Sequence, residues 1–321
     1  MYKIKNEPDT GFVLSTLAGI IRDFSGPVDQ YMRQIGEREI LNPFQSNAQT
    51  GFMSVSETAP GGFWERLGIR RLTVDPFRYS SAIKEPWYDD NMTLSRWNRI
   101  KDETLVKELS GIFGNSPVIE FADWAGADNA SGCWDGLYTD VIKSLDKRDL
   151  HFIFHLGDVA KKLVFEIDEI LDIIGDYSLR GKVTLMLDDY EADNLWSRLN
   201  GQNPETFTTG FGSPEARERY KSLFNTMNIG VLLVLNGNRV ILFSRDVQFD
   251  LASRPPAGIR EVVNTRGRFS VGYQMGLLLQ LEIPDCIALG LAVSGGYPES
   301  VSGTGSALLL DYIQNWANIF K

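Results

Sequence analysis

Short apolar segments alternate with amphipathic segments through the middle of the chain. The apolar segments are rich in Val, Ile, Leu and Phe and are bounded by Gly, Asp or Asn, as is typical of strands buried on both faces. They are Val118 to Phe121, Leu150 to Leu156, Val183 to Leu187, Gly230 to Leu235 and Val240 to Ser244. Helical periodicity fills the intervals at Gly136 to Leu145, Val164 to Ile174, Tyr190 to Leu199 and Pro214 to Thr226. This alternation predicts an α/β fold with a mainly parallel sheet.

The flanking segments have a different character. Gly11 to Ile21 is predicted to be a buried strand, and about 35–105 is Gly/Pro-rich and aromatic, which predicts a β-rich lid or an inserted segment. Three apolar helices are predicted near the C-terminus, over Gly267 to Leu281, Asp285 to Val293 and Ala307 to Phe320. We therefore expect one α/β domain over residues 1–321 with a small lid.

Composition and charge narrow the function classes. Hydrophobic residues make up 43% and charged residues 23% of the 321-residue chain, which excludes disordered and fibrous classes. The net charge of -10 has the wrong sign for holding a nucleic-acid backbone. The two cysteines, Cys133 and Cys286, lie far apart, and no apolar run is long enough to span a bilayer. We expect a cytoplasmic protein that binds neither nucleic acid nor a membrane.

The chain has only two histidines, both in the segment HFIFH. His151 and His155 are roughly 13 Å apart along a strand at about 3.3 Å per residue, too far for one metal ion. The same spacing on a helix would suit zinc, but the three apolar residues between them favour a strand, and HExxH is absent. We therefore expect structural roles for both. GxSxG and Walker A motifs, two common catalytic signatures of α/β proteins, are also missing.

Two carboxylates follow the predicted strand in TLMLDDYEADNL. Asp188 ends the strand, and Glu191 lies one turn into the next helix. Carboxylates at the carboxyl end of a parallel strand are placed where open α/β sheets bind ligands, and this pair could share a hydrated Mg²⁺. Alternatively, Asp188 caps the helix and Glu191 complements its dipole. The pattern leaves both alternatives open.

From about residue 115 to 295 the sequence resembles the ribokinase-like, PfkB-type carbohydrate kinases. The family has a strand ending in NxxE, and this chain has Asp188-Asp189-Tyr190-Glu191, with Asp for Asn. The family's TxGxxG-like turn corresponds to LVLNGNRV, which contains Asn236 and Gly237. Its DTTGAGDAF turn and AGFLYGLL helix correspond to VVNTRGRF and VGYQMGLLL. The resemblance implies a ribokinase-like three-layer sandwich with a mainly parallel central sheet.

The resemblance also implies cofactors and the residues that bind them. Mg²⁺ would lie at Asp188 and Glu191, with ATP or ADP as the nucleotide. The implied nucleotide-binding residues are Asn236, Gly237, Asn264, Thr265 and Gly267. The family's early double-glycine sugar-binding motif is missing, and LNPFQSNAQTG occupies its neighbourhood. The resemblance therefore covers the nucleotide side of the site better than the sugar side.

The chain departs from the family at the catalytic base. In the family, the aspartate of the GAGD turn takes the proton from the sugar hydroxyl, whereas NTRGRF has no Asp and places Arg268 nearest to that position. Because arginine stays protonated, Arg268 cannot be a general base. It could hold a phosphate or carboxylate, or it could form a structural salt bridge.

Three hypotheses about function follow. The first is a descendant with a degenerate phosphoryl-transfer site that binds a small polar ligand, such as a sugar or nucleoside, or a partner protein, either with Mg²⁺ and ATP or ADP or with no cofactor. The alternative is an active sugar or nucleoside kinase with a displaced base, Asp123 or Glu261. Asp123 and Trp124 together could hold a sugar between a carboxylate and a ring face, although loop capping and core filling explain the same two residues. The third, an interaction protein, requires an exposed aromatic patch from Trp64, Trp87 and Trp97. A homodimer is left open.

Overall fold

The computed structural model describes residues 97–98, 101–126, 130–204, 207, 210–252 and 265–296. The strand predicted at Gly11 to Ile21, the helix predicted at Ala307 to Phe320 and nearly all of the lid segment lie outside the described residues. The chain divides into two compact units. One contains the described residues up to Leu232, and the other contains those from Leu233 onward.

The described strands belong to one six-stranded sheet in the order β1 to β6. The strands are β1 (Val118–Phe121), β2 (Leu150–Phe154), β3 (Gly181–Asp188), β4 (Val231–Asn236), β5 (Arg239–Ser244) and β6 (Gln248–Ala252). β1 pairs with β2 and β2 with β3, both in parallel. Just before β4, the backbone N–H of Gly230 donates to the carbonyl of Val183 at 3.1 Å. The predicted α/β fold with a mainly parallel sheet is confirmed.

Among the described residues of the first unit there are five α-helices: α1 (Glu103–Asn115), α2 (Ala130–Gly136), α3 (Val164–Tyr177), α4 (Asp189–Asn200) and α5 (Pro214–Thr226). The predictions for α3, α4 and α5 are confirmed within a few residues. The segment predicted as one helix from Gly136 to Leu145 instead continues α2 as a π-helical turn (Leu137–Val141) and a 3₁₀ turn (Ile142–Ser144). Hydrophobic periodicity could not show this, because it does not distinguish among these helix types.

An aromatic cluster fills the core on one face of β1 and β2. Phe121 stacks on Phe154 with ring centroids 4.8 Å apart, and Tyr177 of α3 packs edge-on against both rings. The Tyr177 hydroxyl donates to the carbonyl of Trp134 at 2.7 Å, so its one buried polar group is satisfied. Aromatic pairs contribute about 0.5–1.5 kcal/mol each beyond the area they bury. The cluster therefore fixes α2 and α3 against this part of the sheet.

Trp97 is buried beside α2 and is only 1% exposed. Its indole Nε1 donates to Asp140 at 2.6 Å, and Lys101 donates to the same carboxylate oxygen at 2.9 Å. Burial opposes the charge on Asp140, but these two donors outweigh it and lower the pKa of the carboxyl group. Trp97 therefore cannot contribute to the exposed aromatic patch that an interaction protein would need, and Trp64 and Trp87 lie outside the described residues.

The second unit contains a hairpin and a pair of helices. Gly237, with φ 55°, makes the turn between β4 and β5, and β5 pairs with β6 antiparallel. A bidentate ion pair joins Arg239 to Asp250, with Nε–Oδ1 2.8 Å and Nη2–Oδ2 2.6 Å. β6 (Gln248–Ala252) is not among the strands that the sequence analysis predicted.

The two helices that follow confirm the predictions for this region. They are α6 (Thr265–Leu278) and α7 (Ile283–Gly296). A Cβ on Gly272 would lie 2.6 Å from the carbonyl oxygen of Leu289, so the two helix backbones approach closely there. None of the helices in the described ranges combines the length and apolarity that crossing a bilayer requires.

Candidate functional site

The candidate site lies at the carboxyl edge of β1, β2 and β3, where each strand leads into a polar residue. Asp123 follows β1, His155 follows β2, and Asp188 ends β3. The loops after β1 and β2 are joined by a bond from Ala125 N to the carbonyl of Leu156 at 2.7 Å. Parallel strands end at the same edge of a sheet, so these loops lie where ligands bind in open α/β proteins.

Asp123 has the most accessible carboxylate of this group. It is exposed and has φ 57°, an uncommon conformation for a residue with a side chain. Gly126 and Gly157 lie against it, since a Cβ on either would come within 2.4 Å and 2.7 Å of a carboxylate oxygen. Within the described residues, the only hydrogen bond of Asp123 is made by its backbone carbonyl, which accepts from Gly126 N at 3.2 Å. Its carboxylate therefore keeps its acceptor capacity for a ligand.

Trp124 does not offer the open ring face that sugar stacking would need. The residue is 1% exposed, and its indole Nε1 donates to Ser131 Oγ at 2.9 Å. The ammonium group of Lys162 lies 5.1 Å from the centroid of the Trp124 ring. This burial matches the core-filling alternative for Trp124 and excludes the stacking of a sugar on its ring. A buried indole is a core contact, whereas only a solvent-facing one can stack on a ligand.

His155 forms a buried pair with Glu120, a contact that the sequence analysis did not predict. The His155 Nε2 lies 2.8 Å from Glu120 Oε1, and His155 is 5% exposed. His151 is half-buried within β2, where burial and the neighbouring charge of Lys182 lower the pKa of its imidazole. Both histidines thus occupy the structural positions predicted for them. Among the described residues, no three His, Cys, Asp or Glu side chains are grouped to hold a metal ion.

Asp188 and Glu191 form a capping box at the start of α4. The Asp188 Oδ1 accepts from Glu191 N at 2.7 Å, and Glu191 Oε2 accepts from Asp188 N at 3.0 Å. Glu191 is buried, while Asp188 is half-buried. This geometry matches the helix-capping alternative. The magnesium alternative stays a prediction.

The remaining predicted site residues belong to the second unit or lie outside the described residues. Asn236 and Gly237 are exposed in the turn between β4 and β5. Thr265 and Gly267 lie in the first turn of α6, and Arg268 next to them is 4% exposed. Asn264 and Glu261 lie outside the described residues. The assignment of these residues to a nucleotide and to a catalytic base stays a prediction.

No protein-family model matches the chain, and no curated protein matches its sequence. Its structure is similar to those of sugar and nucleoside kinases, including ribokinase, the family whose motifs the sequence resembles. A candidate sugar kinase from Clostridium perfringens has 12% identity and TM-score 0.45, over 67% of this chain and 60% of that one. Adenosine kinase from Sinorhizobium meliloti has 13% identity and TM-score 0.44, over 58% and 50%. Ribokinase from Thermotoga maritima has 11% identity and TM-score 0.41, over 65% and 59%.

This chain therefore spans between half and about 60% of the length of the kinases it resembles. Similarity at 11 to 13% identity concerns the fold alone, and one fold hosts many activities. What the protein binds and whether it transfers a phosphoryl group must be argued from its own residues.

Proposed function

We propose that the protein is a divergent ribokinase-like protein that binds a small polar ligand, such as a sugar or nucleoside, without efficient phosphoryl transfer. The observation that supports ligand binding is Asp123. Its exposed carboxylate stands at the carboxyl edge of the sheet between two glycines, with its side-chain acceptors available. A carboxylate in that position accepts hydrogen bonds from ligand hydroxyls, the chemistry that sugars and ribose present.

The residues of the sequence motifs support the loss of efficient transfer. Arg268 takes the place that the family gives to its catalytic aspartate, and a guanidinium cannot accept the proton of an attacking hydroxyl. General base catalysis is worth about a hundred- to ten-thousandfold, so its absence raises the barrier by roughly 3 to 5 kcal/mol. The protein would then show trace kinase activity at most.

Asp188 and Glu191 fit a bound Mg²⁺ in the chemistry of their donors. Magnesium in phosphate sites commonly uses one or two carboxylates and keeps several waters. Asp188 is half-buried at the carboxyl end of β3, and its Oδ1 caps α4. When bound, such an ion neutralises the charge of nucleotide phosphates. These two residues would hold it, and ATP or ADP would be the nucleotide.

Binding is tested by thermal shift with a panel of sugars and nucleosides, each with and without Mg²⁺ and ATP or ADP. A ligand that binds only the folded protein raises Tm. We expect at least one hit, and Asp123→Asn should abolish it. Asp149→Asn is the matched control, because Asp149 is exposed just before the amino end of β2. A panel without any hit, or a hit that survives Asp123→Asn, would overturn the proposal.

Asp123 also favours the alternative of an active kinase with a displaced base, since an exposed carboxylate can accept a proton. Measuring ligand-dependent ADP release distinguishes an active kinase from a protein that only binds its ligand. We expect no more than trace turnover by the wild type. Robust turnover that is lost in Asp123→Asn or Glu261→Gln would identify a working enzyme and its base.

The cellular setting is part of the same proposal. Cys133 and Cys286 are buried and form no disulfide, and the net charge is -10. A reducing, cytoplasmic setting without nucleic-acid partners accounts for both.

A further inference from the structure

Three exposed apolar residues occur together where α3 begins. Leu163, Val164 and Phe165 are 59%, 44% and 67% exposed. Among the described residues, the other exposed large hydrophobic side chains are Leu179 and Tyr190, which stand alone in the sequence. Single exposed apolar residues are normal in folded proteins, whereas a contiguous group of them marks an interaction site. The start of α3 therefore needs an explanation that the carboxyl-edge site does not supply.

The solvent side of α3 continues from Phe165 as a row of carboxylates. Glu169, Asp172 and Asp176 follow Phe165 at intervals of three or four residues, so the four lie on one side of the helix, with Asp168 beside them. All five residues are exposed, and we call them the α3 face. Within the described part of the chain, no hydrogen bond or ion pair occupies the four carboxylates.

The negative charge of the α3 face is not balanced within its own helix. α3 contains five acidic residues and no Lys or Arg, and Asp176 lies in its last turn. Carboxylates are unfavourable there, because the carbonyl end of a helix already carries a partial negative charge. Lys162, just before the helix, is 3.9 Å from Glu166, which is not part of the α3 face. A cationic partner would therefore stabilise this surface.

A groove of about 440 Å³ lies beside the α3 face, between α3 and the last turns of α4 and α5. We call it the α3 groove. Among the described residues that line it, Leu171, Leu199 and Leu223 are apolar, and the charged side chains are Asp168 and Asp172. Long basic side chains bury their methylenes on apolar surface and keep the charged head at its edge. The α3 groove therefore matches the side chain of a Lys or an Arg.

Asn200 adds a hydrogen-bond acceptor to the same groove. Its Nδ2 donates to the carbonyl of Trp196 at 2.8 Å, and no hydrogen bond to its Oδ1 is made by the described residues. Ammonium and guanidinium groups have donors and no acceptors. The lining of the α3 groove, with two carboxylates and an amide oxygen, is complementary to either group.

Charge also decides which kind of partner suits this surface. A second copy of the chain would place the same carboxylates against each other across a symmetric contact, which is repulsive. A membrane is disfavoured because anionic headgroups repel the carboxylates beside Phe165. A basic segment of another protein meets neither obstacle, and an amphipathic one also covers the exposed apolar residues.

We propose that the α3 face and the α3 groove bind a basic amphipathic segment of a partner protein. The apolar residues of that segment cover Phe165 and Val164, and its basic residues pair with the carboxylates of the α3 face. One Lys or Arg enters the α3 groove between Asp168 and Asp172. This surface shares no residue with the proposed carboxyl-edge site, so the two proposals are tested by different variants.

The probe is a synthetic, fluorescently labelled amphipathic helix of Leu and Lys that is as long as α3, 14 residues. Binding is followed by fluorescence anisotropy at about 0.15 M salt, where distant charges are largely screened. We expect saturable binding that Phe165→Ser weakens about five- to tenfold, and that Asp168→Asn together with Asp172→Asn weakens by a similar factor. The same peptide with Glu in place of Lys should not bind.

Matched variants show whether the effects belong to this surface. Phe165→Leu keeps an apolar side chain and should bind almost as the wild type does. Asp146→Asn together with Asp149→Asn removes two exposed carboxylates outside the α3 face and should not weaken binding. Because all the substituted side chains are exposed, every variant should unfold at the urea concentration of the wild type.

Several results would overturn the proposal. Unchanged affinity in both Phe165→Ser and the double variant at Asp168 and Asp172 is one, and an equal loss in the double variant at Asp146 and Asp149 is another. Dimerisation of the protein alone that Phe165→Ser abolishes would assign the surface to a second copy. Binding to phosphatidylcholine vesicles that Phe165→Ser abolishes would assign it to a membrane. Asp123→Asn should leave peptide binding intact, so this proposal can fail independently of the carboxyl-edge site.

Discussion

Substitutions of Glu191 separate helix capping from metal binding. Glu191 is 5% exposed, and its Oε2 accepts the backbone N–H of Asp188 at 3.0 Å. Glu191→Ala leaves that part-buried N–H without its acceptor, which costs about 1–3 kcal/mol, and removes one buried methylene worth roughly 0.8 kcal/mol. The expected loss of unfolding free energy is therefore roughly 2–4 kcal/mol. Glu191→Gln keeps an acceptor oxygen in the same place, so we expect a loss of about 1 kcal/mol or less.

The two roles are measured separately. Urea unfolding in EDTA reports the capping contribution, and the rise of Tm on adding Mg²⁺ with ATP or ADP reports metal binding. If the metal prediction holds, Glu191→Gln removes the Mg²⁺-dependent rise while keeping most of the stability in EDTA. The matched control is Glu166→Gln, because Glu166 Oε2 accepts from Leu163 N at 2.8 Å in an equivalent reach-back bond at the start of α3.

Each role has its own refuting result. If Glu191→Ala is as stable as the wild type in EDTA, the capping box contributes nothing to the free energy of unfolding. A full Mg²⁺-dependent rise in Glu191→Gln would show that the ion, if bound, does not use this carboxylate. Loss of the rise in the Glu166→Gln control would mean that the assay reports general stability instead of a site.

Four further substitutions, one of them a matched control, test the packing and electrostatics of the two units. Gly136→Ala would bring a Cβ within 2.1 Å of the buried Trp97 ring, so it should lower the free energy of unfolding in urea by about 1–3 kcal/mol. The matched control is Gly111→Ala, where a Cβ would meet nothing within 4 Å, and there the free energy of unfolding should rise by up to about 1 kcal/mol. Tyr220→Phe removes a buried hydroxyl that has no partner within the described residues, so unfolding free energy should stay constant or rise by about 1 kcal/mol. Burial raises the pKa of Asp285 to about 6. The Asp285 carboxyl binds its proton more tightly in the folded protein than in the unfolded chain. The stability that Asp285 contributes is therefore present below about pH 4 and is lost as the pH rises through about 6. Asp285→Asn should therefore stabilise relative to wild type at pH 7 and hardly at all at pH 4; an equal effect at both values would contradict the shifted pKa.

Elements with both a periodic pattern and a local start signal were predictable from the sequence. α5 begins at the predicted residue because Ser213 caps it, accepting from Ala216 N at 3.1 Å, and Pro214 fills its first turn. α1 has an equivalent signal in Asp102, which accepts from Leu105 N at 2.7 Å. The aromatic and Gly/Pro-rich composition of the preceding residues instead predicts a lid up to residue 105, so the sequence pattern does not reveal where α1 begins.

The sequence allowed individual residues of the candidate site to be identified, but it did not allow the contacts between their side chains to be predicted. Asp123 and Asp188 could be found because each follows a recognisable buried strand. The Glu120–His155 pair depends on the register that sets Glu120 opposite Ile153, which places a glutamate beside a histidine 35 positions away. Likewise, Leu171, Leu199 and Leu223 line one groove only because α3, α4 and α5 pack together.

The difference has a physical origin that also bears on function. Residues that are neighbours in sequence determine where a strand ends or a helix is capped, so a short stretch of sequence is enough to predict either feature. The availability of a side chain depends on what the rest of the fold places against it. Trp124 and Asp123 are adjacent in sequence, yet Trp124 is buried while Asp123 is exposed. Of these two neighbours, only Asp123 can therefore meet a ligand at the carboxyl edge, and so it is the residue on which the proposed function depends.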